Sequence, residues 1–186
     1  MSVEARHRGD TRTQIQRVAL CRFTDDGYDK TSLREIAEDL GVTKAALYYH
    51  FRTKEDILTS LITDLSSSVA ELVAWANAGE STHERRLEML RRLATLMSGG
   101  VGDLIQCVQQ NEASLTSLPQ TIDLVHQIKH ELWQACTPPD ATLEDRLRAG
   151  VAITAMIFAT RGGAELGGTE AERLEIALRI ASDLLP

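Results

Sequence analysis

Tyr48, Tyr49 and Phe51 fall within four positions of a chain that holds three Tyr, three Phe and two Trp in all. Around them stand Lys44, His50, Arg52 and Lys54, and no carboxylate occurs from residue 44 to residue 54. Those residue types suit contact with a polyanion whose base edges can be read. Lysine donates to guanine O6 or N7, and small alanines allow close approach and touch thymine methyls. A tyrosine hydroxyl reaches a phosphate oxygen. Lys44, Ala45 and Ala46 open the stretch, and Tyr48, Tyr49 and His50 follow.

Such residues need a rigid short element to present them. Ser32 with Glu35 three residues on matches a capping box. Leu33, Ile36, Ala37 and Leu40 then recur at helical spacing, and Gly41 suits a left-handed helix end. Thr43 can cap a second helix over residues 44–51. Two short helices around Gly41-Val42-Thr43 form a helix-turn-helix, in which the second helix enters the major groove by its N-terminal residues. Leu47 and Phe51 read as packing residues, and Tyr48 fits either the core or the outside. Lys54, with Thr53 and Asp56, opens a long fourth helix. An ammonium and a helix N-terminus there can share one phosphate, and Ser32 can act the same way. The candidate DNA contacts are therefore Ser32, Arg34, Thr43, Lys44, Ala45, Ala46, Tyr48, Tyr49, His50 and Lys54.

The run TSLREIAEDLGVTKAALYYHFRTKEDIL, residues 31–58, resembles the DNA-binding signature of TetR-family transcriptional regulators. The marks are Leu33, Ile36, Ala37, Leu40, Gly41 and Val42, then Leu47-Tyr48, His50-Phe51 and Lys54-Glu55, with Gly27-Tyr28 before them. The likeness is dense over residues 10–60 and carries no motif beyond. It implies a homodimeric repressor that binds a palindromic operator on double-stranded DNA. It also implies a small-molecule effector in the C-terminal region, which moves the fourth helix and releases the DNA. The family makes its dimer from the last two helices, here about 143–161 and 169–185.

The rest of the chain reads as helix as well, about nine helices in total. The fold class expected is all-α: a three-helix helix-turn-helix head over residues 1–55, then a larger ligand-binding and dimerisation body over 56–186. The first helix is expected over residues 11–24, preceded by an arm in which Arg6, His7, Arg8 and Arg12 either follow DNA or fray into solvent. Residues 1–56 carry ten Lys/Arg and ten Asp/Glu, so the net charge of −7 resides wholly in the remainder. A global negative charge argues against non-specific polyanion binding by the whole surface. No secretory leader is expected, and the most apolar run, residues 149–160, is shorter than the roughly 20 residues that span a bilayer. Three cysteines without a CxxC pair fit a reducing cytoplasm. No cofactor or metal is expected.

In the body the candidate effector-lining residues are Trp75, Met89, Met97, Cys107, Trp133, Met156 and Phe158, soft or aromatic types that suit either an apolar pocket or the core itself, together with the polar His126 and Lys129. On the helix over residues 119–136, Ile122, Val125, Leu132, Trp133 and Cys136 share one arc, with Lys129 inside it and His126 at its edge. Two readings of Lys129 stand. It snorkels or pairs with an internal carboxylate, or it meets an anionic or carbonyl-bearing ligand. His126 and His130 are spaced to share a metal, without an evident third ligand. Ala149, Gly150, Ala152, Ala155 and Ala159 would let helices approach closely, either at a dimer interface or within the core of one chain. Two alternatives remain: a helical protein-interaction module, and an enzyme, for which neither a phosphate loop nor a nucleophile motif is present.

Overall fold

The computed structural model describes residues 3–115, 118–161 and 166–186, and among them no strand occurs. The helices are α1 (Val3–Asp25), α2 (Leu33–Leu40), α3 (Lys44–His50), α4 (Lys54–Asn77), α5 (His83–Leu96), α6 (Gly102–Gln110), α7 (Glu112–Leu115), α8 (Pro119–Ala135), α9 (Leu143–Arg161) and α10 (Glu170–Leu184). α1 begins at Val3 and not near residue 11. The side chains of the expected arm residues Arg6, His7 and Arg8 lie outside the described residues, as do positions 162–165 of the glycine-rich connection. A π-helical turn, Met97–Val101, links α5 to α6. The four-residue α7 was not expected.

Polar residues at the helix starts explain where several helices begin. The Ser32 hydroxyl accepts from Glu35 N at 3.3 Å while the Glu35 carboxylate accepts from Ser32 N at 2.8 Å. Thr53 with Asp56 and Thr169 with Glu172 form the same reciprocal box at α4 and α10. Each such cap contributes about 1 kcal/mol. α2 ends where Gly41 takes φ 69°, a left-handed conformation that a side chain disfavours.

Helices α1–α3 pack on an apolar cluster that continues through α4 and α6 into the rest of the chain. Ile15, Ala19, Phe23, Ile36, Leu47 and Phe51 are buried, and Ile57 and Leu58 of α4 reach into the same apolar cluster. Phe23 meets Tyr28 edge to face at 5.0 Å, a favoured aromatic geometry. Arg22 spans from α1 to Asp39 on α2, its Nη2 at 2.8 Å from the carboxylate, and holds that carboxyl below its ordinary range. Gln16 of α1 donates to Ser60 Oγ at 3.0 Å and Asp64 Oδ2 at 2.8 Å on α4, fixing the two helices in register.

α4 is apolar and long enough by length and composition to cross a bilayer. Its stripe of Ile57, Leu58, Ile62, Val69 and Leu72 is instead packed, chiefly against α8, with further contacts to α1 and α5. α9 and α10 are the most extensively packed pair. They turn inward Ala149, Ala152 and Ala159 from one helix and Leu174, Ala177 and Ala181 from the other. Of the two readings these alanines allow, packing within the chain is the one their burial shows. The outward faces carry Leu143, Leu147, Val151, Phe158, Ile176 and Ile180, all exposed.

Candidate nucleic-acid interface and effector cavity

On α3 the apolar and polar residues separate cleanly. Leu47 is fully buried and Phe51 nearly so, which anchors the helix, while Arg12 lies over the Phe51 ring at 4.9 Å. Thr43 starts the helix by accepting from Ala46 N at 3.2 Å. Lys44 and Ala45 face water, Tyr48 is 52% exposed and Tyr49 68% exposed. This settles Tyr48 as an outward residue. Tyr49 and His50 meet edge to face at 5.2 Å, which orients both rings. Arg52, absent from the sequence-derived candidates, is exposed just past the helix end. Its position inside the acid-free run was the signal for it.

Four candidates, Ser32, Arg34, Thr43 and Lys54, are engaged within the chain. The Lys54 ammonium donates to Tyr28 O at 2.7 Å and Asp29 O at 3.3 Å, and lies 4.3 Å over the Tyr28 ring. It therefore clamps the α1–α2 turn. The α4 start beside it already holds a carboxylate, since Asp56 Oδ2 accepts from Arg52 N at 3.1 Å and Thr53 N at 3.0 Å. At the α2 start, Ser32 donates its hydroxyl to Glu35 Oε2 at 2.7 Å. Both helix N-termini that were read as phosphate sites are thus occupied by the chain's own acids. Arg34 remains exposed and pairs with Glu38 at 2.7 Å. Thr43 uses its hydroxyl as a cap. The residues brought together on an open face are Lys44, Ala45, Ala46, Tyr48, Tyr49, His50 and Arg52.

The body encloses a cavity of about 130 Å³. Ile62, Leu65 and Val69 line it from α4, Leu93 and Met97 from α5 and the π turn, and Leu104, Ile105 and Val108 from α6. Ile122, Val125, His126, Ile128, Lys129 and Leu132 come from α8. Of the sequence candidates, Met97, His126 and Lys129 meet here. The other six do not. Trp75 lies between the Arg85 and Arg92 guanidiniums, 4.4 and 3.8 Å from its ring. Met89 and Cys136 are buried against each other, their sulfurs 3.8 Å apart. Burial pushes the Cys136 thiol up to about 12 and that of Cys107 up to about 11. Met156 is core. Trp133 turns to α9, donating from Nε1 to Arg146 O at 3.0 Å. Phe158 lies on the outer face of α9, 47% exposed. His126 borders the cavity while His130 lies against the Trp133 ring at 5.9 Å. Among the described residues no three His, Cys, Asp or Glu gather as a metal site.

One buried amide joins the two regions. Asn111, between α6 and α7, accepts from Tyr28 N at 2.8 Å through Oδ1. Its Nδ2 donates to Phe23 O at 3.2 Å and Cys107 O at 2.8 Å. Gly27 sits beside it with φ 93°, and a Cβ there would stand 3.8 Å from Asn111 Oδ1. The α1–α2 turn is thereby tied to the segment that supplies Leu104, Ile105 and Val108 to the cavity.

A three-helix head presenting a cationic, tyrosine-bearing second helix, on an all-helical body, defines the helix-turn-helix class. Residues 15–61 match the model for bacterial regulatory proteins of the tetR family. The segment is also similar to the HTH-type transcriptional regulator AcrR of Shigella flexneri, 41% identical over 63 residues, which are 34% of this chain and 29% of AcrR. The match therefore spans about a third of the curated relatives' length. The fold continues the likeness beyond that segment. The ketosteroid transcriptional regulator KstR2 of Mycobacterium tuberculosis superposes with a TM-score of 0.70 at 18% identity, over 94% of both chains. AmtR of Mycobacterium smegmatis does so with 0.64 at 25% identity, over 92% of this chain and 86% of its own. The N-terminal segment thus matches the tetR family of bacterial regulatory proteins, and the chain as a whole shares the fold of these solved regulators.

Proposed function

We propose that the protein is a DNA-binding transcriptional repressor of the bacterial cytoplasm, acting as a homodimer on a palindromic operator and released by a small molecule held in the body. The exposed, acid-free face of α3 carries this reading. Lys44 and the small Ala45 and Ala46 suit base edges. Tyr48, Tyr49 and Arg52 suit flanking phosphates. With Lys54 engaged on the α1–α2 turn, its role here is to hold that turn and not to touch DNA.

The dimer reading is supported by the outward apolar residues. Among the described residues, the strongly exposed large apolar side chains lie on α3 or on α9, α10 and Leu166 just before α10. Pairing α9 and α10 with their copies would bury Leu143, Leu147, Val151, Phe158, Ile176 and Ile180, and set two reading helices about 34–36 Å apart, one DNA turn, or a multiple of it. An occupant of the cavity acts only to the extent that it prefers the state with the wrong spacing. The Asn111 linkage gives it a route to the head. Fluorescence-anisotropy titration of the DNA upstream of the gene, over a salt series, tests the reading. Wild type is expected to bind with a steep linear loss of log affinity against log salt, and Lys44→Ala with Tyr49→Phe to lose that binding. Salt-insensitive binding, or none to that DNA or to a random pool, removes the regulator reading.

A further inference from the structure

We infer that the body cavity takes a small monoanionic amphiphile: an apolar group about the size of a benzene ring, carrying a carboxylate that meets Lys129. This rests on the reading of the body as the effector domain. The volume sets the size. About 130 Å³ is close to the roughly 150 Å³ of an engineered apolar cavity that binds benzene, and below the roughly 300–1,000 Å³ of pockets for drug-sized ligands. The lining sets the chemistry. Among the described lining residues all are aliphatic or Met save His126 and Lys129. No Asp, Glu, Ser, Thr, Asn or Gln is among them, so the wall offers the buried part of a ligand no hydrogen bond and favours a hydrocarbon group.

The two polar residues share one edge of α8, three positions apart, and both are exposed. They therefore stand where the cavity opens to water. Lys129 makes no ion pair among the described residues. Glu131, the nearest acid along α8, accepts instead from Gln127 at 2.8 Å. An ammonium with three donors and an imidazole able to donate a fourth, unopposed by an acid on the wall, match a carboxylate and disfavour an amine.

The test is isothermal titration calorimetry of the full chain with three probes of like size: phenylacetate, 2-phenylethanol and 2-phenylethylamine. Phenylacetate is expected to bind about tenfold or more tightly than the alcohol, the scale of a hydrogen bond to a charged group, and the amine to bind most weakly. In Lys129→Gln the preference for the acid over the alcohol should fall to near one, with alcohol affinity kept. In Val108→Phe, which fills the cavity, all binding should weaken together. Melting curves of each variant verify folding. Equal affinity for acid and alcohol, an unchanged preference in Lys129→Gln, or no binding of any probe overturns the inference. The anisotropy assay separates it from the regulator reading. Salt-sensitive operator binding with no phenylacetate preference sinks the ligand class alone. Lys129-dependent phenylacetate binding by a chain that ignores DNA sinks the regulator reading alone.

Discussion

On α3 the residues facing water are Lys44, Ala45, Tyr48 and Tyr49, and those facing inward are Leu47 and Phe51. Around the body cavity the order is reversed: the surface that would meet a ligand is built from Leu, Ile, Val and Met, the same types that fill the core. A groove-reading helix must show polar groups at fixed positions, so its function is written in residue types that stand out. A hydrocarbon-binding wall is chemically a piece of core that lacks a neighbour. The head therefore announces its chemistry, whereas the body announces it only where Lys129 and His126 interrupt the apolar face.

Leu47→Ala should have the largest effect. Leu47 is fully buried, and a Leu→Ala change in such a place costs about 3 kcal/mol. The head is expected to lose its fold and operator binding to vanish, while light scattering still reports a dimer held by the body. Retained DNA binding would show that the head does not depend on this packing, and would break the contrast. Phe158→Asp with Ile180→Asp is the reciprocal perturbation. Both residues are exposed within one chain, so thermal unfolding should show a folded body. The dimer should become a monomer, and operator affinity should fall on the order of a hundredfold as the two heads lose their linkage. A dimer persisting at micromolar concentration would move the interface elsewhere.

The same contrast explains what could be read in advance. The helix-turn-helix, its caps at Ser32, Thr43 and Thr53, its breaker Gly41 and its anchors Leu47 and Phe51 follow from local rules, and each stands where those rules put it. Arg52 was passed over although it lies in the same acid-free run. The tasks of Lys54 and Ser32 depend on which partner the fold brings near: backbone carbonyls from the α1–α2 turn for one, a competing carboxylate for the other. In the body, helical spacing placed Ile122, Val125, Lys129 and Leu132 on one arc of α8, and these line the cavity, but it put Trp133 and Cys136 on the same arc, and they turn instead to α9 and to Met89. Trp75, Met89, Cys107, Met156 and Phe158 were singled out by residue type, and type does not say which way a helix is rotated. Phe158 and the inward alanines of α9 show the cost. The helix is apolar nearly all round, so its periodicity could not tell the α10-facing side from the outer one.

Asn111→Ala probes the junction between the regions. It removes one acceptor and two donated bonds in a buried place, leaving Tyr28 N and Phe23 O without that partner, at about 2 kcal/mol. Operator binding should survive in weakened form. The sharper expectation is that a ligand's effect on DNA affinity shrinks toward one while its own binding to the cavity changes little. If release remains as large as in wild type, coupling runs through α4 alone.

The smallest effect sets one capping device in the head against its copy in the body. Ser32→Ala and Thr169→Ala each remove a cap hydroxyl that accepts from the N3 amide and donates to the N3 carboxylate, and each should cost about 1 kcal/mol at neutral pH. The Glu35 carboxyl is held below its ordinary range first by the Ser32 hydroxyl and then by the Ser32 N–H. That of Glu172 is held down first by the Thr169 N–H and then by the hydroxyl. A depressed carboxyl contributes stability that is complete above its unfolded value, roughly 4.3 for glutamate, and is lost as pH falls through the lower folded value. The gap between wild type and each variant should therefore hold from pH 8 to about 5 and narrow below about 4. It should narrow more for Ser32→Ala, because there the hydroxyl is the larger cause of the shift. Chemical denaturation over that pH range measures both gaps. A gap for Ser32→Ala that stays constant into acid would mean that Glu35 is not what its hydroxyl serves. The α2 N-terminus would then be open to an external anion after all, and Ser32 would return to the DNA-facing set.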